Sequence, residues 1–135
     1  MISTLESAFI RPPRQSYYDH DLGPAQFTVK SRLTGKSLLI TRTETTIINT
    51  SNLGLSVSIF QPEGVSSDCC VIYLHTHHGS KLEGTSLMEP LLASHINVCL
   101  FDFAGYGNSE GDYVTLGIEE SKDISVIIEY LNKNY

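Results

Sequence analysis

Hydrophobic residues along this chain follow two different patterns. Between Thr41 and Gln61 two β-rich runs flank Asn49-Thr50-Ser51-Asn52-Leu53-Gly54, and the second run alternates. Leu55, Val57 and Ile59 fall on one face of an extended strand, and Ser56, Ser58 and Phe60 on the other. Two strands around a polar, Gly-ended loop predict a hairpin. Pro62-Glu63-Gly64 ends it. Farther along, Cys69 to Leu74 and Ile96 to Phe101 are continuous apolar runs without alternation, which suits strands buried on both faces. Each runs into a Gly- and polar-rich loop and then a helical segment.

The last helix is the clearest, because Ile124, Ile127, Ile128 and Leu131 fall at i, i+3, i+4 and i+7. Glu119, Glu120 and Asp123 sit in its early turns, where the helix dipole favours acids. Another helix is expected between Lys81 and Ser94, with two competing capping boxes, Ser80…Glu83 and Ser86…Glu89. Pro90 suits a first turn better than a helix interior, which favours the later start or a kink. Gln26 to Lys30 reads as a short strand. Residues 1–24 read as irregular, since Arg11-Pro12-Pro13-Arg14 cannot continue a helix and Leu22-Gly23-Pro24 is turn chemistry. Residues 25–135 then form one α/β unit in the order β-hairpin, strand, helix, strand, helix. Strands alternating with helices imply parallel pairing through crossovers.

Composition narrows the class further. With 135 residues the chain is at most one modest domain, and 41% hydrophobic against 18% charged residues argues against disorder. A formal net charge of −6 with scattered Lys and Arg leaves no basic patch, so nucleic acid is not an expected partner. Met1 to Ile10 lacks the pattern of a secretory signal, and no run is long enough to span a membrane. Three cysteines, two of them adjacent in one strand, read as buried reduced thiols of a cytoplasmic protein.

Asp102-x-x-Gly105-x-Gly107-x-Ser109 follows one apolar strand, and His75-Thr76-His77-His78-Gly79-Ser80 closes the other. On these motifs the chain resembles the α/β-hydrolase fold, and within it the serine aminopeptidase-like branch. Members of that branch carry an H-G-x-x-G-S-like loop and then a D-x-x-G-x-G-x-S loop. The likeness extends back to Arg11-Pro12-Pro13-Arg14 and forward to Leu116-Gly117-Ile118-Glu119-Glu120. It covers nearly the whole chain but about half of such a domain.

The resemblance implies that the loop after the third strand gives a backbone N–H to a developing oxyanion. Thr76 and His77 occupy that loop, with His77 at the donor position and Thr76 where glycine is usual. A β-branched residue there restricts the backbone and crowds the turn. His75, Gly79, Asp102, Gly105, Tyr106, Gly107 and Ser109 would shape the loops flanking the site. An aspartate can cap backbone N–H groups, and the glycines can supply positive φ.

No catalytic residue is expected within this chain. The resemblance puts nucleophile, acid and histidine after Tyr135, with a small-molecule acyl substrate for the full-length parent and no cofactor. It further implies a sheet order 1-2-4-3-5, which would make Cys69 to Leu74 an exposed edge here and favour self-association through it. A non-catalytic protein binding a partner through that edge is the alternative.

Three apparent sites compete with this reading. Gly107-Asn108-Ser109-Glu110-Gly111 matches the G-x-S-x-G elbow by letter. The elbow needs a strand running into the first glycine and a helix starting at the serine, and neither is expected here. His75, His77 and His78 could open a metal site, with His95 and Asp102 as the further ligands available, but their spacing repeats no known motif. No metal is expected, and His20 reads as a surface residue. Tyr17, Tyr18, Tyr106 and Tyr113 lie on separate loops and suit ordinary packing with hydroxyls in water.

Overall fold

The computed structural model describes residues 4–135. The alternating segment folds as β2 (Ser37–Ile48) and β3 (Gly54–Pro62), antiparallel from Ile40 opposite Pro62 to Ile48 opposite Gly54. Asn49 organises the connecting loop, its side-chain oxygen accepting the N–H groups of Ser51 and Leu53. β1 (Gln26–Lys30) adds antiparallel to the free side of β2. β5 (Asn97–Phe101) pairs antiparallel with β3, and β4 (Cys70–Tyr73) pairs parallel with β5.

The order across the sheet is β1-β2-β3-β5-β4. The later strand lies inside the earlier one because the chain leaves β4, crosses through α2 (Thr85–Ala93) and returns beside β3. This is the expected sequence of hairpin, later strand, earlier strand, with β1 added outside the hairpin.

Strand parity decides the two cores. Leu55, Val57 and Ile59 of β3 join Cys99 and Phe101 of β5 beneath Ile127 and Leu131 of α3 (Ile118–Asn134). Phe60, Val98 and Leu100 point the other way, toward Met88 and Leu92 of α2. Both sheet faces are therefore covered at β3 and β5. Burying each such large side chain contributes about 1.5–3 kcal/mol.

Several expectations are corrected here. The N-terminal segment is not irregular throughout, since α1 (Thr4–Ile10) is helical and Asp19–Leu22 is a 3-10 turn. The two prolines only bar the helix from continuing, and α1 ends before them. The part of that expectation covering residues 1–3 lies outside the described residues.

α2 starts at neither capping box. Ser80 caps a 3-10 turn, Lys81–Gly84, and Ser86 gives its hydroxyl proton to the Glu83 carbonyl instead. Pro90 sits inside α2, so one backbone bond of that helix is absent.

Nor is the apolar run at β4 buried on both faces. Its residues are half-buried to exposed, because β5 is its one strand neighbour among the described residues. Cys69 and Cys70 are therefore exposed, and only Cys99 is buried. Local desolvation still pushes the Cys70 thiol up to about 11, and burial takes Cys99 to about 12.

Candidate functional site

At the end of β5, Asp102 gathers the loops. It is fully buried, and Oδ1 accepts the Lys81 N–H at 2.7 Å. Oδ2 accepts the Asn108 N–H at 2.9 Å and the Tyr17 hydroxyl at 2.5 Å. A carboxylate so placed ties the start of the 3-10 turn, the loop after β5 and the N-terminal segment together.

Gly107 is required beside it, since its φ is +46° and a Cβ would lie 2.3 Å from the carboxylate. Gly105 has φ +83°, and a Cβ there would meet the Tyr113 carbonyl oxygen at 2.6 Å. The D-x-x-G-x-G pattern thus reflects close approach as well as positive φ.

Ser109 is a strut. Its buried hydroxyl donates to the Asp102 carbonyl at 2.5 Å and accepts the Ser56 N–H at 2.8 Å. Among the described residues no histidine hydrogen-bonds to it and no helix starts there, so the elbow-like lettering has no elbow geometry.

The N-terminal segment straps these loops from outside. Arg14 donates to the carbonyls of Ser109, at 2.6 Å, of Gly111 and of Gly107. The Ser80 hydroxyl donates to the Gln15 side chain at 2.9 Å, and Arg11 lies over the Tyr113 ring. Tyr17 is buried, so its hydroxyl reaches Asp102 rather than water, correcting the expectation of ordinary packing. Burial, with the Asp102 carboxylate next, pushes that phenol's pKa up. Sequence reasoning missed this strap. The signal was an extended Arg-Pro-Pro-Arg segment, whose two guanidinium forks needed acceptors somewhere.

The loop after β4 is the other half of the site. The Phe103 N–H can only donate, so His75 Nε2 accepts it, at 3.1 Å. The His75 proton is then on Nδ1 and goes to the Thr76 carbonyl at 2.8 Å. Gly79 N–H closes a tight turn on the Thr76 carbonyl at 3.0 Å, leaving His77 and His78 at its tip.

Thr76 donates twice to Glu83, from its N–H at 3.0 Å and from its hydroxyl at 2.7 Å. Partial burial works against the Glu83 charge, but the Thr76 bonds outweigh it and hold this carboxyl below its usual range. His77 Nδ1 meets the Tyr106 hydroxyl at 2.7 Å, while His77 Nε2 is buried with no partner among the described residues. Among the described residues, no acceptor meets the His77 backbone N–H.

A cleft of about 140 Å³ lies here, lined by His75, Thr76, His77, Phe103, Tyr106, Leu116, Gly117 and Glu120. The structure thus brings His75, Thr76, His77 and Tyr106 together. Asp102, Gly105, Gly107 and Ser109 sit behind them as framework, and Gly79 lies under Glu83. The five histidine and aspartate candidates for a metal are not assembled. Both ring nitrogens of His75 are occupied, both Asp102 oxygens accept hydrogen bonds, and His95 pairs with Ser31 at 2.8 Å. Among the described residues no three His, Cys, Asp or Glu side chains group to hold a metal. His20 is exposed, and Tyr113 stays at the surface with Arg11. A larger hollow of about 540 Å³ lies away from both loops, between β4 and the C-terminal end of α3, beside Cys70, Ile72, Ile128 and Tyr135.

No protein-family model and no curated protein matches the sequence. Solved structures do. Two crystal forms of the Pyrococcus furiosus esterase Pf2001 superpose with TM-scores of 0.70 and 0.69, at 27% and 28% identity. The match covers 94% and 93% of this chain but 43% of the esterase chain in each case. A hypothetical protein of Pseudomonas aeruginosa, at 17% identity and a TM-score of 0.59, shares the fold over 88% of this chain and 36% of its own. The chain therefore spans less than half the length of these structures. Its sheet is the N-terminal half of an α/β-hydrolase-type sheet. No helix among the described residues is long and apolar enough to cross a membrane.

Proposed function

We propose that these residues form the N-terminal part of an esterase-like serine hydrolase domain acting on a small-molecule acyl ester. The His77 N–H carries this reading. It has no acceptor among the described residues and sits in a tight turn, and the turn borders a cleft at the end of β4. A backbone donor left free at that place suits an oxyanion that develops during acyl transfer. Thr76 does not obstruct it, because the threonine side chain is turned to Glu83.

On this reading the nucleophile, its histidine and its acid belong to the part of the polypeptide following Tyr135. Residues 1–135 alone hydrolyse nothing. The esterase likeness favours ester chemistry over the finer serine aminopeptidase-like assignment. A cytoplasmic location belongs to the same proposal.

A second reading is favoured by the open side of β4, which has no strand partner among the described residues. A non-catalytic protein could bind a partner there. The test is hydrolysis of short- and medium-chain p-nitrophenyl esters by the polypeptide that carries these residues in the cell, with residues 1–135 as control. Turnover by the former alone supports the hydrolase. Absence of turnover in both favours the binding protein.

A further inference from the structure

We propose that Glu83 is the positioning residue of the His75–Ser80 loop, holding Thr76 through two hydrogen bonds so that the His77 N–H is left free at the cleft. This rests on reading that loop as the oxyanion loop. Three observations support it independently of any activity.

Firstly, the carboxylate takes both donors of Thr76, with Oε2 on the N–H and Oε1 on the hydroxyl. Charge-assisted bonds of this kind are stronger than neutral ones, and two from one residue fix its orientation. Secondly, Gly79 leaves the space the carboxylate occupies. A Cβ at Gly79 would lie 1.6 Å from Glu83 Oε1, although the Gly79 backbone does not need positive φ. Glycine is there for the carboxylate and not for the turn. Thirdly, Glu83 is held from its own side: Ser80 caps the 3-10 turn that carries it, and the Tyr73 hydroxyl approaches Oε2 at 3.4 Å. The titratable groups facing the carboxylate are Tyr73 from β4 and His75 from the loop.

With Thr76 N–H consumed, the donors left within the turn are the N–H groups of His77 and His78, and of these two residues His77 lines the cleft. Loss of Glu83 would free Thr76 to compete or rotate, and the His77 N–H would no longer be held in one direction. Glu83 touches no substrate on this account and acts through Thr76.

The test uses amide hydrogen exchange and ¹H–¹⁵N spectra of the polypeptide that carries these residues in the cell. In Glu83→Gln the amide group cannot accept both Thr76 donors, so Thr76 N–H exchange is expected to rise about tenfold or more. The His77 amide resonance is expected to shift with it. Gly79→Ala should reproduce both effects by displacing the carboxylate, and should add nothing in a Glu83→Gln background. Glu83→Asp, one methylene shorter, should restore part of the protection. Unchanged Thr76 exchange in both single variants would overturn the proposal, as would an additive double variant. Should Glu83→Gln fail to fold, Gly79→Ala alone decides.

Ester hydrolysis is read separately, in the polypeptide containing the rest of the domain, where Glu83→Gln should lower kcat with little change in KM. No hydrolysis in the parent polypeptide defeats the hydrolase reading and leaves the exchange result standing. Hydrolysis without any exchange effect defeats the role of Glu83 alone.

Discussion

The two sides of β5 differ sharply. Toward β3, seven of that strand's nine residues are buried, the loops beyond are glycine-specified, and Asp102 has partners from three separate segments. Toward β4, the neighbouring strand is four residues long, exposed at Cys70 and Val71, and bordered by the 540 Å³ hollow. Ile128 and Tyr135, which line that hollow, are exposed, and so is Leu74 just after β4. One half looks finished because its polar groups satisfy one another. The other offers apolar surface and strand edge without cover, the condition that favours further pairing. The comparison locates the site as well, since the candidate oxyanion loop lies at the seam between the two.

The largest expected effect separates the halves directly. Phe101→Ala, removing a fully buried ring, should destabilise the chain by about 3–5 kcal/mol, while Val71→Ala at the edge should cost about 0.5 kcal/mol or less. Urea melts of the two variants measure this, and similar losses would mean that β4 is not open. Next comes the strap. Tyr17→Phe removes one of the Asp102 donors in a buried setting and should cost about 1–3 kcal/mol by the same measurement.

A smaller change sharpens the open side. Val71→Lys should leave stability within about 0.5 kcal/mol and raise the monomer fraction in sedimentation velocity, because a charged edge resists strand pairing. An unchanged distribution would argue against association through β4.

The smallest effect concerns pH. Burial opposes the Glu120 charge, but bonds from Thr115 and Gly117 dominate and keep its folded pKa below the usual range. Its stabilising contribution is therefore present above the ordinary carboxylate pKa and lost as pH falls through the lowered value. Asp123 runs the other way, since burial raises its folded pKa, and its contribution fades as pH rises through that raised value. Glu120→Gln should flatten the acid limb of the stability curve, read by melting temperature against pH.

The strands were legible because period two and unbroken apolar runs state which residues face a sheet. Those patterns do not say whether a neighbour is present, so the Cys69 to Leu74 run misled about burial at Cys69 and Cys70. Asp102 and its glycines were legible as loop-formers, although the 2.3 Å approach at Gly107 was not. Arg14, Tyr17 and Glu83 stayed hidden for one reason: each acts on a distant loop or across a turn, and periodicity carries no information about such meetings. Thr76 looked like an obstruction in the sequence, and the structure ties it aside to Glu83.

The central claim is that the loop at the seam of the two halves is the oxyanion loop of a hydrolase whose nucleophile lies elsewhere in the polypeptide. Labelling that polypeptide, as expressed in its cell, with a fluorophosphonate and locating the modified serine by mass spectrometry tests this most directly. The account predicts one labelled serine outside residues 1–135, with Ser109 untouched. Label on Ser109, or no labelled serine at all, would contradict it.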